Sequence, residues 1–291
     1  MGIANPRAQA LRTLLQQPGI VPMPCCFDGL SARLIERAGF RLSLLSGFAV
    51  SASRLAMPDT GLISFSEMVD TLHNACNAAP GLLVIGDGDT GYGNAINVKR
   101  TVLEYARAGA AGIMLEDQVS PKRCGHTRGK QVVSFQEARM KLRAAVDARA
   151  SHDIAIMART DARAILGMDE ALARCRMFVE EGADIIFLEA PESVEEMRTF
   201  CAAIDRPCMA NMVGGGVTPM LPPTELAAIG YKIAAYPLEI LTAGIRAMQE
   251  ALRALDPGTG AKMPAQVSFA ELKTLVGFDD YYVEEARYRS E

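Results

Sequence analysis

Eight times along this chain a short apolar run gives way to a stretch of helical character, and six of the eight runs end in polar side chains. The runs are Ile20–Pro24, Leu42–Ser46, Leu82–Asp87, Gly112–Glu116, Ile154–Arg159, Asp184–Glu189, Pro207–Asn211 and Tyr231–Tyr236. A strand with one wet face alternates apolar and polar residues. These runs are nearly continuous in apolar residues, which predicts parallel strands buried on both faces. The first is the least regular, because Pro22 and Pro24 interrupt it.

The intervening segments carry helix punctuation. Ser64/Glu67, Ser134/Glu137, Ser193/Glu196 and Ser268/Glu271 have the spacing of a capping box, in which each side chain satisfies a backbone N–H of the first turn. Gly39, Gly109, Gly182 and Gly230 stand just before the next strand, where a left-handed residue stops a helix. Eight βα units without a break in composition predict a closed (β/α)8 TIM barrel, with an open doubly wound sheet as the alternative. The 291 residues are read as one barrel domain, with an N-terminal helix in 1–19 and a C-terminal helical extension in 256–291.

Composition narrows the partners. A net charge of −4 argues against nucleic acid, whose binders are usually basic. No segment reads as a membrane span or a signal peptide. Seven cysteines without a regular framework or a C-x-x-C pair fit a reducing cytoplasm.

In a barrel of this kind the chemistry collects at the C-terminal ends of the strands. Here those ends carry Ser46-Gly47, Asp87-Gly-Asp89, Glu116-Asp117, Arg159-Thr-Asp161, Glu189 and Asn211. Asp87, Asp89 and Glu116 would converge as three carboxylates, which repel unless a cation or protons intervene. Oxygen-only donors suit Mg²⁺. A lysine ammonium among them would count against that reading. Arg159 offers a fork for a substrate carboxylate. The stretch Gly86–Gly93 contains G-x-G-x-x-G, yet Asp87 and Asp89 within it would repel a pyrophosphate, so it is read as a tight loop rather than a dinucleotide site.

The loop Pro121-Lys-Arg-Cys124-Gly-His126-Thr-Arg128-Gly-Lys130 gathers basic residues around one thiol. Cationic neighbours make a thiol reactive. A proton-donor role for Cys124 asks only for placement near a developing carbanion, whereas a nucleophile would also need an oriented base. Gly125 and Gly129 make the loop a candidate gate, whose cations would gain a partner when an anionic substrate binds.

With Glu116-Asp-Gln-Val-Ser-Pro-Lys-Arg-Cys124-Gly-His126, Asp87-Gly-Asp89-Thr-Gly-Tyr-Gly, Ser46-Gly47, Pro58-Asp59, Ala158-Arg159-Thr-Asp-Ala162, Leu188-Glu189-Ala190 and Ala210-Asn211-Met212, the chain resembles the isocitrate lyase/phosphoenolpyruvate mutase superfamily, on its lyase branch. The resemblance implies a Mg²⁺-dependent enzyme, with Mn²⁺ as a substitute, that cleaves a C–C bond of a small 2-hydroxy dicarboxylate or tricarboxylate. It implies a homotetramer with an exchanged C-terminal helix. Asp87 would be the direct metal ligand, and Asp59, Asp89 and Glu116 would hold metal-bound waters. Ser46, Gly47 and Arg159 would bind the 2-oxoacid half. Gly125, His126, Arg128, Glu189 and Asn211 would serve the other carboxylate or the loop, and Cys124 would protonate the leaving enolate. Leu44 and Phe48 stand where short 2-methylisocitrate lyases carry Tyr and Gly. The segment is closer to 2-alkylmalate lyases, and oxaloacetate hydrolysis or 2-methylisocitrate cleavage remain alternatives. Phosphonate chemistry or a non-catalytic binding barrel are alternatives of another class.

Overall fold

The computed structural model describes residues 2–125 and 129–289. Eight strands, β1 (Val21–Cys26), β2 (Leu42–Leu45), β3 (Leu83–Asp87), β4 (Gly112–Glu116), β5 (Ala155–Thr160), β6 (Ile185–Leu188), β7 (Cys208–Asn211) and β8 (Ile233–Tyr236), pair in parallel in sequence order. β8 closes on β1, so the sheet is a barrel and has no edge. The open-sheet alternative is thereby excluded.

The prolines of β1 fit this closure. Val21 donates its N–H to Lys232, next to β8. Residues 22 and 24 therefore aim their backbone nitrogens at β2, whose pairing with β1 begins only at Cys25. No ladder bond is lost.

Helices pack between and around the strands: α1 (Pro6–Gln16), α2 (Gly29–Arg37), α3 (Gly47–Val50), α4 (Phe65–Ala78), α5 (Ala95–Arg107), α6 (Phe135–Arg149), α7 (Arg163–Leu166), α8 (Met168–Glu181), α9 (Val194–Ala203) and α10 (Pro223–Ile229). A π turn, Ser51–Leu55, continues α3. The boxes at Ser64/Glu67 and Ser268/Glu271 form in full. Ser134 and Ser193 cap their helices, but Glu196 spends its carboxylate on Arg163. The four stop glycines all have positive φ, from 85° to 117°.

Contacts divide the chain into two compact units, Met1–Ile240 and Leu241–Glu291. The second holds most of α11 (Glu239–Leu255), with α12 (Phe269–Val276) and α13 (Phe278–Ala286). Among the described residues no helix is long and apolar enough to cross a membrane.

Within the first unit, two cores follow from the two-residue period of a strand. One face of every strand points outward into the helices. The other fills the barrel with Met23, Cys25, Leu42, Leu44, Ile85, Met114, Ala155, Met157, Ile185, Phe187, Met209, Ile233 and Ala235, and α1 stoppers it from below with Leu11, Leu14 and Leu15. Counting two residues on from the last apolar layer reaches Ser46, Asp87, Glu116, Arg159, Glu189 and Asn211. The polar rim is thus the next layer of the same inward-facing rows.

Candidate active site

A cleft with an empty volume of about 600 Å³ opens at this rim. Ser46, Asp59, Asp87, Arg159, Glu189 and Asn211 give it polar lining, and Leu44, Phe48, Met209, Val213, Pro237 and Leu238 apolar lining. Lys122, Arg123, Cys124 and Gly125 lie along it from the loop after β4. Glu116 borders a smaller cavity behind, with Asp117 and Lys141. His126 and Arg128, two of the expected loop residues, lie outside the described residues.

Asp87 is held by backbone. Its Oδ2 accepts the N–H of Gly47 and its Oδ1 the N–H of Asp89, both at 3.0 Å. A Cβ on Gly47 would meet Asp87 Oδ2 at 2.5 Å, so glycine is needed there. Gly47, expected on the substrate, spends its N–H on Asp87 instead. The Tyr105 hydroxyl donates to the carbonyl of Asp87 at 2.7 Å and steadies the end of β3 from the helix side.

Lys122 brings a cation into the acid cluster. Its ammonium is 2.6 Å from Asp59 Oδ1 and 2.9 Å from Asp89 Oδ1, and all three residues are buried. Burial alone would lower the lysine, but Asp89, Asp87, Glu116 and Asp59 outweigh it and hold the ammonium well above its ordinary range. Burial pushes Asp89 up to about 6, and Asp87 and Asp59 add to that against the pull of Lys122. Burial also drives Glu116 well above the usual carboxylate range, against Arg159 and Lys122.

Arg159, expected as a fork for a substrate carboxylate, is shared among three carboxylates of the chain: Asp161 at 2.8 Å from Nε, Glu116 at 3.3 Å and Glu189 at 3.3 Å. Its flat face lies 5.2 Å from the centre of the Phe187 ring. Asn211 Nδ2 stands 3.4 Å from both oxygens of Glu189. Asp161 is depressed although buried, because Arg159 and Lys130 both face it.

The loop departs from expectation in one respect. Lys122 and Lys130 do not wait for a substrate anion, since barrel carboxylates already pair with both, Lys130 at 3.0 Å from Asp161 Oδ1. Gly125 packs so closely on the rim that a Cβ would come within 2.6 Å of Glu189 Cδ. Sequence reasoning named Lys122 and Lys130 only as loop charges and passed over Gln118 and Tyr105. Nothing local to Lys122 signals its role, because its partners Asp59 and Asp89 lie 63 and 33 positions away in the chain (122 − 59 and 122 − 89).

The sequence profile of the phosphoenolpyruvate phosphomutase family matches residues 11–256. This chain belongs to the phosphoenolpyruvate mutase/isocitrate lyase superfamily. It is 46% identical over 274 residues to the 2,3-dimethylmalate lyase of Eubacterium barkeri, covering 94% of each chain. Its fold overlays a structure of oxaloacetate acetylhydrolase in complex with 3,3-difluorooxalacetate with a TM-score of 0.92, at 35% identity and 98% coverage of both chains. A phosphonopyruvate hydrolase complex with oxalate and Mg²⁺ overlays with a TM-score of 0.85, at 31% identity and 97% and 99% coverage. Within the superfamily the chain is an enzyme of the carbon–carbon lyase kind.

The superfamily implies Mg²⁺, and the rim can be tested for it. Its donors are carboxylate oxygens alone. Asp59, Asp87, Asp89 and Glu116 face one lysine, with Arg159 shared further, so negative charge is in surplus. Among the described residues Glu116 Oε1 is buried without a hydrogen-bond partner. Donor type and charge therefore fit a hard divalent cation. Against a ready-made centre, no three acidic, histidine or cysteine side chains among the described residues converge as ligands. Lys122 is the ammonium that argues against a metal, and it does so for Asp59 and Asp89. Asp59 and Asp89, expected to hold metal-bound waters, each pair with Lys122 here.

Proposed function

We propose that this enzyme cleaves the C2–C3 bond of a 2-alkylmalate, giving a 2-oxoacid and a carboxylic acid. The observation that carries the proposal is the mixed lining of the cleft. Arg159, Ser46 and Asn211 are available to carboxylates, and Leu44, Phe48, Val213 and Leu238 to an alkyl substituent. The similarity to a 2,3-dimethylmalate lyase supports the same reading.

A bound Mg²⁺, or Mn²⁺ in its place, held by Asp87 and Glu116 would supply Lewis-acid stabilisation of negative charge on substrate oxygen. The chain's own residues do the rest. Arg159 keeps a fixed orientation because three carboxylates surround it, and so meets the substrate without reorganising. As C2–C3 breaks, the 2-hydroxyl proton passes to a rim carboxylate, which later returns it to the Cys124 sulfur, C2 becomes the carbonyl, and the electron pair left on C3 is stabilised by the adjacent carboxylate. The Cys124 thiol, at the mouth of the cleft, delivers the proton that completes the carboxylic acid product. Gly125 lets the backbone carrying that thiol lie against Arg159 and Glu189.

A screen of malates, 2-alkylmalates, isocitrates, oxaloacetate and phosphonopyruvate with Mg²⁺, following 2-oxoacid or oxalate formation, tests this. A 2-alkylmalate should lead in kcat/KM by roughly tenfold or more, the size of a few buried methylenes. Oxalate and acetate from oxaloacetate as the fastest reaction would favour the hydrolase reading. Turnover of phosphonopyruvate alone would overturn both.

We further propose a homotetramer that exchanges the C-terminal helices, in the reducing cytoplasm. The barrel unit leaves Leu30 and Leu34 of α2 exposed. In the second unit α12 and α13 bury no residue, and Phe269, Tyr282 and Val283 face outward. Apolar surface of this extent fits a second copy. All seven cysteines are free thiols, in keeping with that compartment. Light scattering at micromolar concentration should give four chains, and a monomer there would refute the assembly.

A further inference from the structure

We propose that Gln118 and Lys130 are positioning residues for Cys124, gripping the backbone of the residues on either side of it from outside the cleft. The consequence for turnover rests on the proton-donor reading above, but the grip itself does not.

Gln118 lies just past β4 and is 1% exposed. Its amide makes two hydrogen bonds with one residue: Nε2 donates to the carbonyl of Arg123 at 2.8 Å, and Oε1 accepts the N–H of Arg123 at 3.0 Å. Arg123 immediately precedes Cys124. On the other side the Lys130 ammonium donates to the carbonyl of Gly125, which immediately follows. Neither Gln118 nor Lys130 lines the cleft.

Both grips are anchored in the barrel wall. Lys130 is fixed by Asp161, which also takes Nε and Nη2 of Arg159 at 2.8 and 3.1 Å. The N–H of Asp161 is held by Asp117 Oδ1 at 3.0 Å. Asp117 Oδ2 accepts from the Thr160 hydroxyl at 2.6 Å and from the fully buried Arg174 at 3.0 Å. A continuous set of hydrogen bonds thus runs from Arg174 to the backbone beside Cys124 and passes through the residue that orients Arg159. Donor and acid are placed by one network.

Glutamine suits its place because its amide carries a donor and an acceptor. Glutamate has the same reach, but when ionised it turns two acceptors toward the Arg123 carbonyl. A proton donor displaced by about 1 Å loses much of its advantage, even when its chemistry is intact.

The test uses the full-length protein with Gln118→Ala, Gln118→Glu and Lys130→Met. Iodoacetamide alkylation is followed peptide by peptide by mass spectrometry. Cys201, the other partly buried thiol, serves as the internal reference. The Cys124 to Cys201 rate ratio should rise about tenfold in Gln118→Ala, the scale of two lost hydrogen bonds, and about fivefold in Lys130→Met. Ratios within twofold of the parent, or below it, overturn the proposal. If Gln118→Ala fails to fold, Gln118→Glu, of equal size, decides on the same criterion. Turnover gives the second readout: kcat should fall at least tenfold in Gln118→Glu with KM within about threefold, since the cleft lining is untouched. A rise in KM with kcat preserved would also overturn it. Should the parent cleave no dicarboxylate, the proposed function fails, while the alkylation ratio still judges the grip.

Discussion

The two ends of the barrel treat charge in opposite ways. At the N-terminal end Arg12 of α1 clasps both oxygens of Asp153 at 2.9 Å and reaches Asp184 Oδ1 at 2.9 Å. Arg149 and the N–H of Ile156 complete Asp184 at 2.8 Å each. Two arginines meet two aspartates, and hydrogen bonding to Asp153 holds Arg12 above its ordinary range despite partial burial. At the C-terminal end, among the described residues, Asp59, Asp89 and Glu116 face Lys122 and Arg159. The first arrangement ties α1 to β5 and β6 and serves stability. The second gathers more carboxylates than cations among the described residues in a buried place, a cost that makes sense where a cation and a reaction are to be accommodated.

That contrast can be broken most sharply at Asp87. Asp87→Ala, or excess EDTA on the parent, should lower lyase turnover by roughly 10³-fold or more, as expected for loss of a Lewis acid. Mn²⁺ titration followed by electron paramagnetic resonance should show the binding lost in the variant. Full turnover in EDTA would remove the metal from the account and leave Lys122 as the cation that faces Asp59 and Asp89.

Cys124→Ser should lower turnover by roughly 10²-fold, the scale of a general acid, while Mn²⁺ binding and the melting temperature stay at parental values. Near-native turnover would end the proton-donor role.

Charge removal should then have opposite signs at the two ends. Asp89 has a folded-state pKa raised from 3.8 to about 6, so its contribution to stability is fully present below its unfolded value and is lost as pH rises through about 6. In metal-free protein Asp89→Asn should therefore stabilise by on the order of 1–3 kcal/mol at pH 8 and have little effect at pH 4. Arg12→Met should destabilise by about 1–3 kcal/mol at pH 7 and leave kcat/KM unchanged, because it strands two partly buried carboxylates. Urea denaturation at the stated pH values measures both. Destabilisation by Asp89→Asn at pH 8 would show that its pairing with Lys122 outweighs the surplus charge.

Much of this molecule is local enough to read from the chain. The near-continuous apolar runs reported burial on both faces, the stop glycines marked where each helix ends, and polar strand ends marked the rim. Strand boundaries agree to within two residues, including β1, where the prolines fall on the side that makes no ladder bond. The same two-residue period that packs Met114 and Phe187 inside the barrel carries Glu116 and Glu189 to its mouth.

The chain by itself determined the eight βα units, the polar strand ends and the thiol-bearing loop, because strand period, helix stops and side-chain chemistry are properties of neighbouring residues, whereas closure rests on β8 meeting β1. Only the tertiary structure decided which charge meets which. Lys122 pairs with Asp59 and Asp89 rather than a ligand, Gly47 serves Asp87, Arg159 is shared three ways, and Gln118 and Lys130 grip the residues around Cys124. Coulomb energy and hydrogen bonding depend on distances of a few ångströms, and those distances exist only once the barrel has closed and brought strands and loops from remote parts of the chain to one rim.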